Sequence, residues 1–262
     1  LARVLADWEA YLFAPLKSRC PDLGPLVLRL GLGLSAGLGA LGALPRHGTG
    51  LWQEPVLFVP DMQLALVPGW GWLAPVALCL SVCLLLGLAT RAAALGMLVL
   101  TFCGGLAFGA GFILYYGLHF AAPALLLLRL GAGRFAMDPP FPGPLAEGRA
   151  CGLSYRFALA LTGIGFAAIA IAMKFLQPML LIAILDHGNL RFFGLPQTWA
   201  ALIMMAVELL AGCLLALGLL LRPIALFLIG AFTFFAAALQ ESPLLHANLY
   251  GLCLFILIQG DP

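Results

Sequence analysis

Eight stretches of this chain are apolar over most of their length and approach the roughly 20 residues that a helix needs to bridge a bilayer. They run at about 26–44, 71–89, 91–113, 117–132, 154–174, 198–221, 223–239 and 243–259. Eight spans consume about 160 of the 262 residues and leave the remainder for connections and ends. The charge count supports the same reading. Only 13 Lys and Arg and 11 Asp and Glu are present, 9% of the chain, against about 25% in an ordinary soluble domain. So few charges cannot cover a water-facing surface of this size, which removes soluble enzymes and disordered chains from consideration. A net charge of +2 supplies no basic stripe for a phosphate backbone, so no nucleic-acid partner is expected. Barrel strands would alternate polar and apolar residues, and runs such as Ala121 to Leu128 do not. The expected class is an all-α integral membrane protein, in which eight transmembrane helices form two parallel-repeated four-helix bundles.

Breakers and charges divide the chain. Residues 1–25, with Arg3, Asp7, Glu9 and Lys17, read as an interfacial segment without a signal-peptide pattern, and the start at Leu1 leaves room for a leader. The longest polar connection runs from Pro45 to Trp70, where Trp52, Trp70 and Trp72 suit an interfacial belt. The run Asp138-Pro139-Pro140-Phe141-Pro142-Gly143-Pro144 cannot continue a helix and opens a linker over 139–153. With the N-terminus inside, the inner side holds Arg3, Lys17, Arg19, Arg29, Arg91, Arg129, Arg134, Arg149, Arg156 and Arg222, and the outer side only Arg46, Lys174 and Arg191. This positive-inside bias predicts a bacterial cytoplasmic (inner) membrane protein with both termini and the linker in the cytoplasm. The seven cysteines (20, 79, 83, 103, 151, 213 and 253) form no CxxC pair and are expected to be mostly small buried hydrophobes.

The two halves, 26–138 and 154–262, repeat each other. Leu84-Leu85-Leu86-Gly87-Leu88-Ala89-Thr90-Arg91 aligns with Leu215-Ala216-Leu217-Gly218-Leu219-Leu220-Leu221-Arg222. Leu28-Arg29-Leu30 aligns with Tyr155-Arg156-Phe157, Ser35 with Thr162, and Gly117-Leu118-His119 with Leu244-Leu245-His246. Both repeats start inside, so the repeat is parallel. With Arg29-Leu30-Gly31-Leu32-Gly33, Gly131-Ala132-Gly133-Arg134-Phe135-Ala136-Met137-Asp138 and Val207-Glu208-Leu209-Leu210-Ala211-Gly212, the chain resembles two fused copies of the DoxX/DoxD type of four-helix membrane protein. That resemblance implies a redox association, including quinone reduction and thiol or metal handling. The first half departs from the pattern: Ala77 stands at the position of Glu208, and no cation stands at that of Lys174. A polar site carried over from the family therefore belongs in the second half.

The candidate site residues are chosen by polarity and depth. Glu208 lies near mid-bilayer, where a charge costs roughly 2.5–3.5 kcal/mol and must be neutral, paired or beside a cavity. It is the first candidate for handling protons, or alternatively a carboxyl that bonds a neighbouring helix. Glu241 follows, in the outer turn Gln240-Glu241-Ser242, where Ser242 is the expected cap of the last helix. His246 and Tyr250, four apart on one face, are expected to hold a quinone headgroup beside Glu208, with His187 at the mouth and His119 in the matching position of the first half. Two histidines in a bundle also suit haem, but no attachment motif accompanies them and haem is disfavoured. Lys174 is expected to pair with Asp186, and Arg29 and Arg156 to snorkel to headgroups. Cys79 and Cys83, four apart, are read as packing and not as a metal site, so no metal is expected. The expected function is a redox-associated membrane protein that binds quinone or anchors an electron-transfer complex, with the lipid bilayer and a membrane or periplasmic redox protein as partners. A non-catalytic scaffold subunit, or a small-solute or metal transporter centred on Glu208, are the competing readings.

Overall fold

A computed structural model of the chain describes residues 4, 7–8, 11–13, 23–41, 45–46, 50–51, 67–138, 149–187, 194–238 and 243–260. Helix α1 is Leu23–Ala40, followed by a two-residue antiparallel ladder of β1 (Pro45–Arg46) and β2 (Gly50–Leu51) in which Pro45 faces Leu51. Helices α2 (Leu73–Leu86), α3 (Thr90–Phe112) and α4 (Leu118–Leu130) follow, with a wider π turn, Ile113–Gly117, leading into α4. The second set is α5 (Arg149–Ile169), extended by a π segment Ala170–Phe175, then α6 (Pro178–His187), α7 (Gln197–Leu217), α8 (Leu221–Ala238) and α9 (Ala247–Gln259), the last entered by a 3-10 turn Pro243–His246. Among the described residues, five helical runs are long and apolar enough to cross a membrane, and α2 and α9 are shorter apolar helices.

One of those five runs, Thr90–Leu130, has 41 residues. As a straight rod it would be about 60 Å long, twice the hydrocarbon thickness. It is not straight. Gly109 has φ 74° and ψ −161°, a conformation that a side chain would strain, and the chain reverses there. The reversal brings Phe112 back onto Gly104 and Gly117 back beside Thr101, so α3 and α4 form an antiparallel hairpin.

The turns between α2 and α3 and between α7 and α8 have the same backbone. Gly87 (φ 67°) and Gly218 (φ 69°) are left-handed caps, and the residue two beyond each, Ala89 (φ 47°) and Leu220 (φ 51°), is left-handed as well. In the first turn Gly87 N–H reaches Leu84 O at 3.2 Å and Leu88 N–H reaches Cys83 O at 2.8 Å. In the second, Gly218 N–H reaches Leu215 O at 3.0 Å and Leu219 N–H reaches Leu214 O at 2.9 Å. These paired bonds satisfy carbonyls that a helix end would leave unpaired.

An arginine follows each turn. Arg222 donates through Nε to Leu257 O at 2.9 Å and through one terminal nitrogen to Ile258 O and Gln259 O, both at 3.3 Å, which caps the C-terminus of α9. Arg91 donates to Arg129 O at 3.4 Å at the C-terminus of α4. A cation here answers the negative end of each helix dipole. Arg29, expected at lipid headgroups, is fully enclosed instead: it donates to Leu84 O at 3.2 Å and to Phe135 O. It therefore ties α1 to the end of α2 and to the 131–138 segment, while Arg156 is exposed. The same segment closes on the α2–α3 turn from the other side. Asp138 accepts Ala89 N–H at 2.6 Å and Thr90 N–H at 2.8 Å, and so caps α3 from 48 residues away.

Helices α1 and α9 pack closely, and a Cβ on Gly31 would stand 2.8 Å from the Gly251 Cα. Helix α4 packs on α5, α1 on α2, and α5 on α7. The main cluster of buried residues runs unbroken through both sets of helices, from Leu28 and Leu84 to Leu215 and Ile256. A small second cluster seats Leu181 and Leu185 of α6 on Ala200, Ala201 and Met205 of α7. Around this core the outward faces are apolar: Phe102, Leu106, Leu210 and Leu217 are exposed where a water-soluble bundle would carry charges. Lipid tails suit such faces, and the helices are held together by close packing and interhelical hydrogen bonds. The cysteines follow the same logic. Of the five described side chains only Cys253 is buried, and Cys79 and Cys213 are exposed on apolar faces, contrary to the expectation of mostly buried thiols.

Candidate functional site

The arginines mark one end of the helix bundle, and His119 and His246 lie toward the other. His119 sits two residues beyond the π turn at the start of α4, and only 4% of its surface is exposed. Its ring centroid lies 4.7 Å from that of Phe166 on α5. Phe166 stacks at 6.1 Å on Phe232 of α8, with 22° between the planes. Phe232 in turn stacks on His246 at 5.8 Å and meets Tyr250 edge-on at 5.9 Å. The Tyr250 hydroxyl is 3.0 Å from that of Thr233. Three expected site residues from two halves of the chain thus meet in one aromatic cluster. Phe166 and Phe232 join them, and no charge or spacing in the sequence singled these two out. The only signal was the aromatic density of Phe232-Thr233-Phe234-Phe235.

Among the described residues, neither ring nitrogen of His119 has a hydrogen-bond partner, and both are buried. Neutral imidazole carries one donor and one acceptor, so the cluster contains unspent hydrogen-bonding capacity inside an apolar wall. The backbone of the same residue is satisfied differently. Asn248 on α9, also buried, donates its side-chain amide to His119 O at 3.4 Å.

Glu208 stands on α7. It accepts an ion pair from Lys174, which lies in the π segment that ends α5. The side chains are 26% (Lys174) and 18% (Glu208) exposed, so the pair is largely covered. Lys174 was expected to pair with Asp186. That residue is exposed on α6, and the wider π turn presents the lysine to α7 instead. Of the three conditions that make a mid-bilayer carboxylate tolerable, Glu208 meets the second: it is paired. His246 and Tyr250 make their contacts with Phe232 and Thr233, and Glu208 makes its ion pair with Lys174. Glu241 and Ser242 lie outside the described residues, as does the side chain of His187, whose backbone closes α6. Among the described residues, no three His, Cys, Asp or Glu are grouped so as to hold a metal ion.

At the arginine end, Asp138 is half-buried, and its carboxyl is held below the usual carboxylate range. Partial burial alone would raise it, but the N–H groups of Thr90 and Ala89 and the Arg29 guanidinium outweigh that.

The histidine cluster therefore offers flat apolar walls, two imidazoles and a phenol hydroxyl, an arrangement suited to a planar ligand with hydrogen-bonding edges. No known protein family, curated protein or solved structure matches the chain.

Proposed function

We propose that this is a quinone-binding protein of a bacterial inner membrane, akin to the DoxX/DoxD type, with eight spans built as two parallel four-helix repeats. The observation that carries the quinone reading is the buried His119 ring, whose two nitrogens have no partner among the described residues and lie beside the aromatic cluster of Phe166 and Phe232. A quinone ring needs flat apolar contact and a donor for each carbonyl. Imidazole nitrogens and the Tyr250 hydroxyl are groups of that kind, so the residues fit the ligand. In this reading His119 and His246 with Tyr250 hold the headgroup, and Phe166 and Phe232 wall it. The isoprenoid tail follows apolar helix faces as a lipid would. Bound quinone supplies reversible two-electron, two-proton chemistry. The Lys174–Glu208 pair is the charged group of the second half proposed to exchange protons, and Glu241 and His187 are proposed to stand toward the outer surface.

Two features support the repeat: the matching left-handed turns at Gly87 and Gly218, and the arginine after each that caps the last helix of its own set. Read with the cation bias, the arginine end is cytoplasmic. In a cysteine-free chain, single cysteines at Arg134 and Leu195 should then be labelled from opposite sides, and labelling of both from one side overturns the orientation. For the ligand, the purified protein is extracted and the lipids analysed by mass. Stoichiometric ubiquinone or menaquinone in the wild type, lost in His119→Ala with the fold retained, is the expected result. A stable partner protein with no quinone in any preparation would instead favour a scaffold subunit.

A further inference from the structure

In α4, Pro123 has no N–H, so the carbonyl of His119, four residues earlier, lacks the donor that a helix normally supplies. An unpaired carbonyl in an apolar interior is costly, and in a bilayer no water relieves it. The donor comes from the other half of the chain: the buried amide of Asn248, in the first turn of α9, reaches that carbonyl at 3.4 Å. At the aligned position in α9 itself, the residue four beyond His246 is Tyr250, which keeps its N–H. Of the two histidines, only His119 needs an outside donor.

We propose that Asn248 is a positioning residue, which fixes the turn of α4 that carries His119 and thereby sets the imidazole against Phe166 across the two halves. The ring has little slack, since a Cβ on Gly165 would come within 2.8 Å of His119 Nε2. A bend at Pro123 would therefore press the ring into α5 or withdraw it from Phe166. The ligand in this proposal rests on the quinone reading, whereas the latch between Asn248 and the His119 carbonyl does not.

The test uses the full chain in lipid nanodiscs with three variants: Asn248→Ala, Pro123→Ala and the double substitution. The Pro123→Ala change restores the backbone N–H, so it makes the Asn248 donor redundant. Two quantities are read, the co-purified quinone and the ¹⁵N imidazole signals of His119, which are assigned with His119→Gln. Asn248→Ala should shift the His119 signals and lower retained quinone roughly tenfold, as expected for one orphaned buried acceptor. Pro123→Ala should change little, and the double variant should recover wild-type signals and quinone. Should Asn248→Ala fail to fold, recovery of folded protein in the double variant is the same rescue. Unchanged His119 signals in Asn248→Ala, or a double variant no better than Asn248→Ala, overturns the proposal, because an asparagine that only fills space would not be rescued by a backbone donor on another helix. If the His119 signals respond as stated but no variant or wild type holds quinone, the quinone reading falls and the latch stands.

Discussion

The two halves of the chain agree at one end and diverge at the other. Their α2–α3 and α7–α8 turns share two left-handed residues and the same pair of backbone bonds, each followed by an arginine that caps the last helix of its set. Away from the turns they part. Position 77 is a buried alanine where position 208 carries a paired carboxylate, and position 123 is a proline where position 250 is a tyrosine that meets Phe232 and Thr233. The shared geometry serves helix termini, whose unpaired carbonyls pose the same problem in each half. The differences are polar groups in apolar surroundings, which a bilayer does not tolerate without partners. What the two turns share is backbone geometry, and what distinguishes the helices beyond them is chemistry.

The largest effect should come from breaking the group that has no twin. Glu208→Ala leaves Lys174 uncompensated and should cost about 3 kcal/mol of stability, read as thermal unfolding in detergent. Replacing both partners, Lys174→Met with Glu208→Met, should recover most of that stability. If the double variant also recovers full activity, the pair only joins helices and the second half loses its claim to the chemistry. Next come the two capping arginines. Arg222 reaches three carbonyls and is buried, so Arg222→Met should cost about 2 kcal/mol, whereas Arg91→Met, which gives up a long bond of 3.4 Å to Arg129 O, should cost under about 1 kcal/mol. Equal losses would mean that the caps are equivalent after all.

The smallest effect is at Asp138. Asp138→Asn should cost about 1 kcal/mol or less, since the amide keeps one capping oxygen and the half-buried group is still partly screened by solvent. Its folded-state acidity is stronger than the usual carboxylate value of 3.8. Its contribution is therefore complete well above pH 4 and fades as the pH falls through and below that value. A stability difference between wild type and Asp138→Asn that persists unchanged down to pH 3 would contradict the assignment.

Much of the framework was legible in the sequence because apolar length and glycine punctuation report on it directly. The described helices other than α6, which matches none of the eight runs, begin and end within about five residues of them, and Gly87, Gly109 and Gly218 sit at the turns. Position along each helix was legible too, which is why His119 and His246 could be matched at corresponding places. Direction around each helix axis was not. Arg29 reads as a surface cation by position along α1, yet it points inward to Leu84 O and Phe135 O. Lys174 was matched to the nearest carboxylate along the chain, but the π segment turns it to Glu208. Asn248 was overlooked, though Pro123 held the clue. A proline inside a span announces an unpaired carbonyl four residues back, and few side chains in such a chain can answer it.

The reversal at Gly109 also bears on how the protein is made. Between the legs of α3 and α4 there is no polar loop to stand in water while one leg waits for the other: Phe108, Gly109, Ala110 and Gly111 are the whole connection. A nascent chain that had threaded α3 across a bilayer on its own would have to hold the start of α4 in the aqueous phase, with Phe112, Ile113 and Leu114 exposed. The two legs are better suited to partition from the ribosome as one preformed helical hairpin, with Phe112 already folded onto Gly104. Biogenesis of this region then proceeds by pairs of helices, and a nascent chain halted before Gly117 should fail to integrate α3 stably.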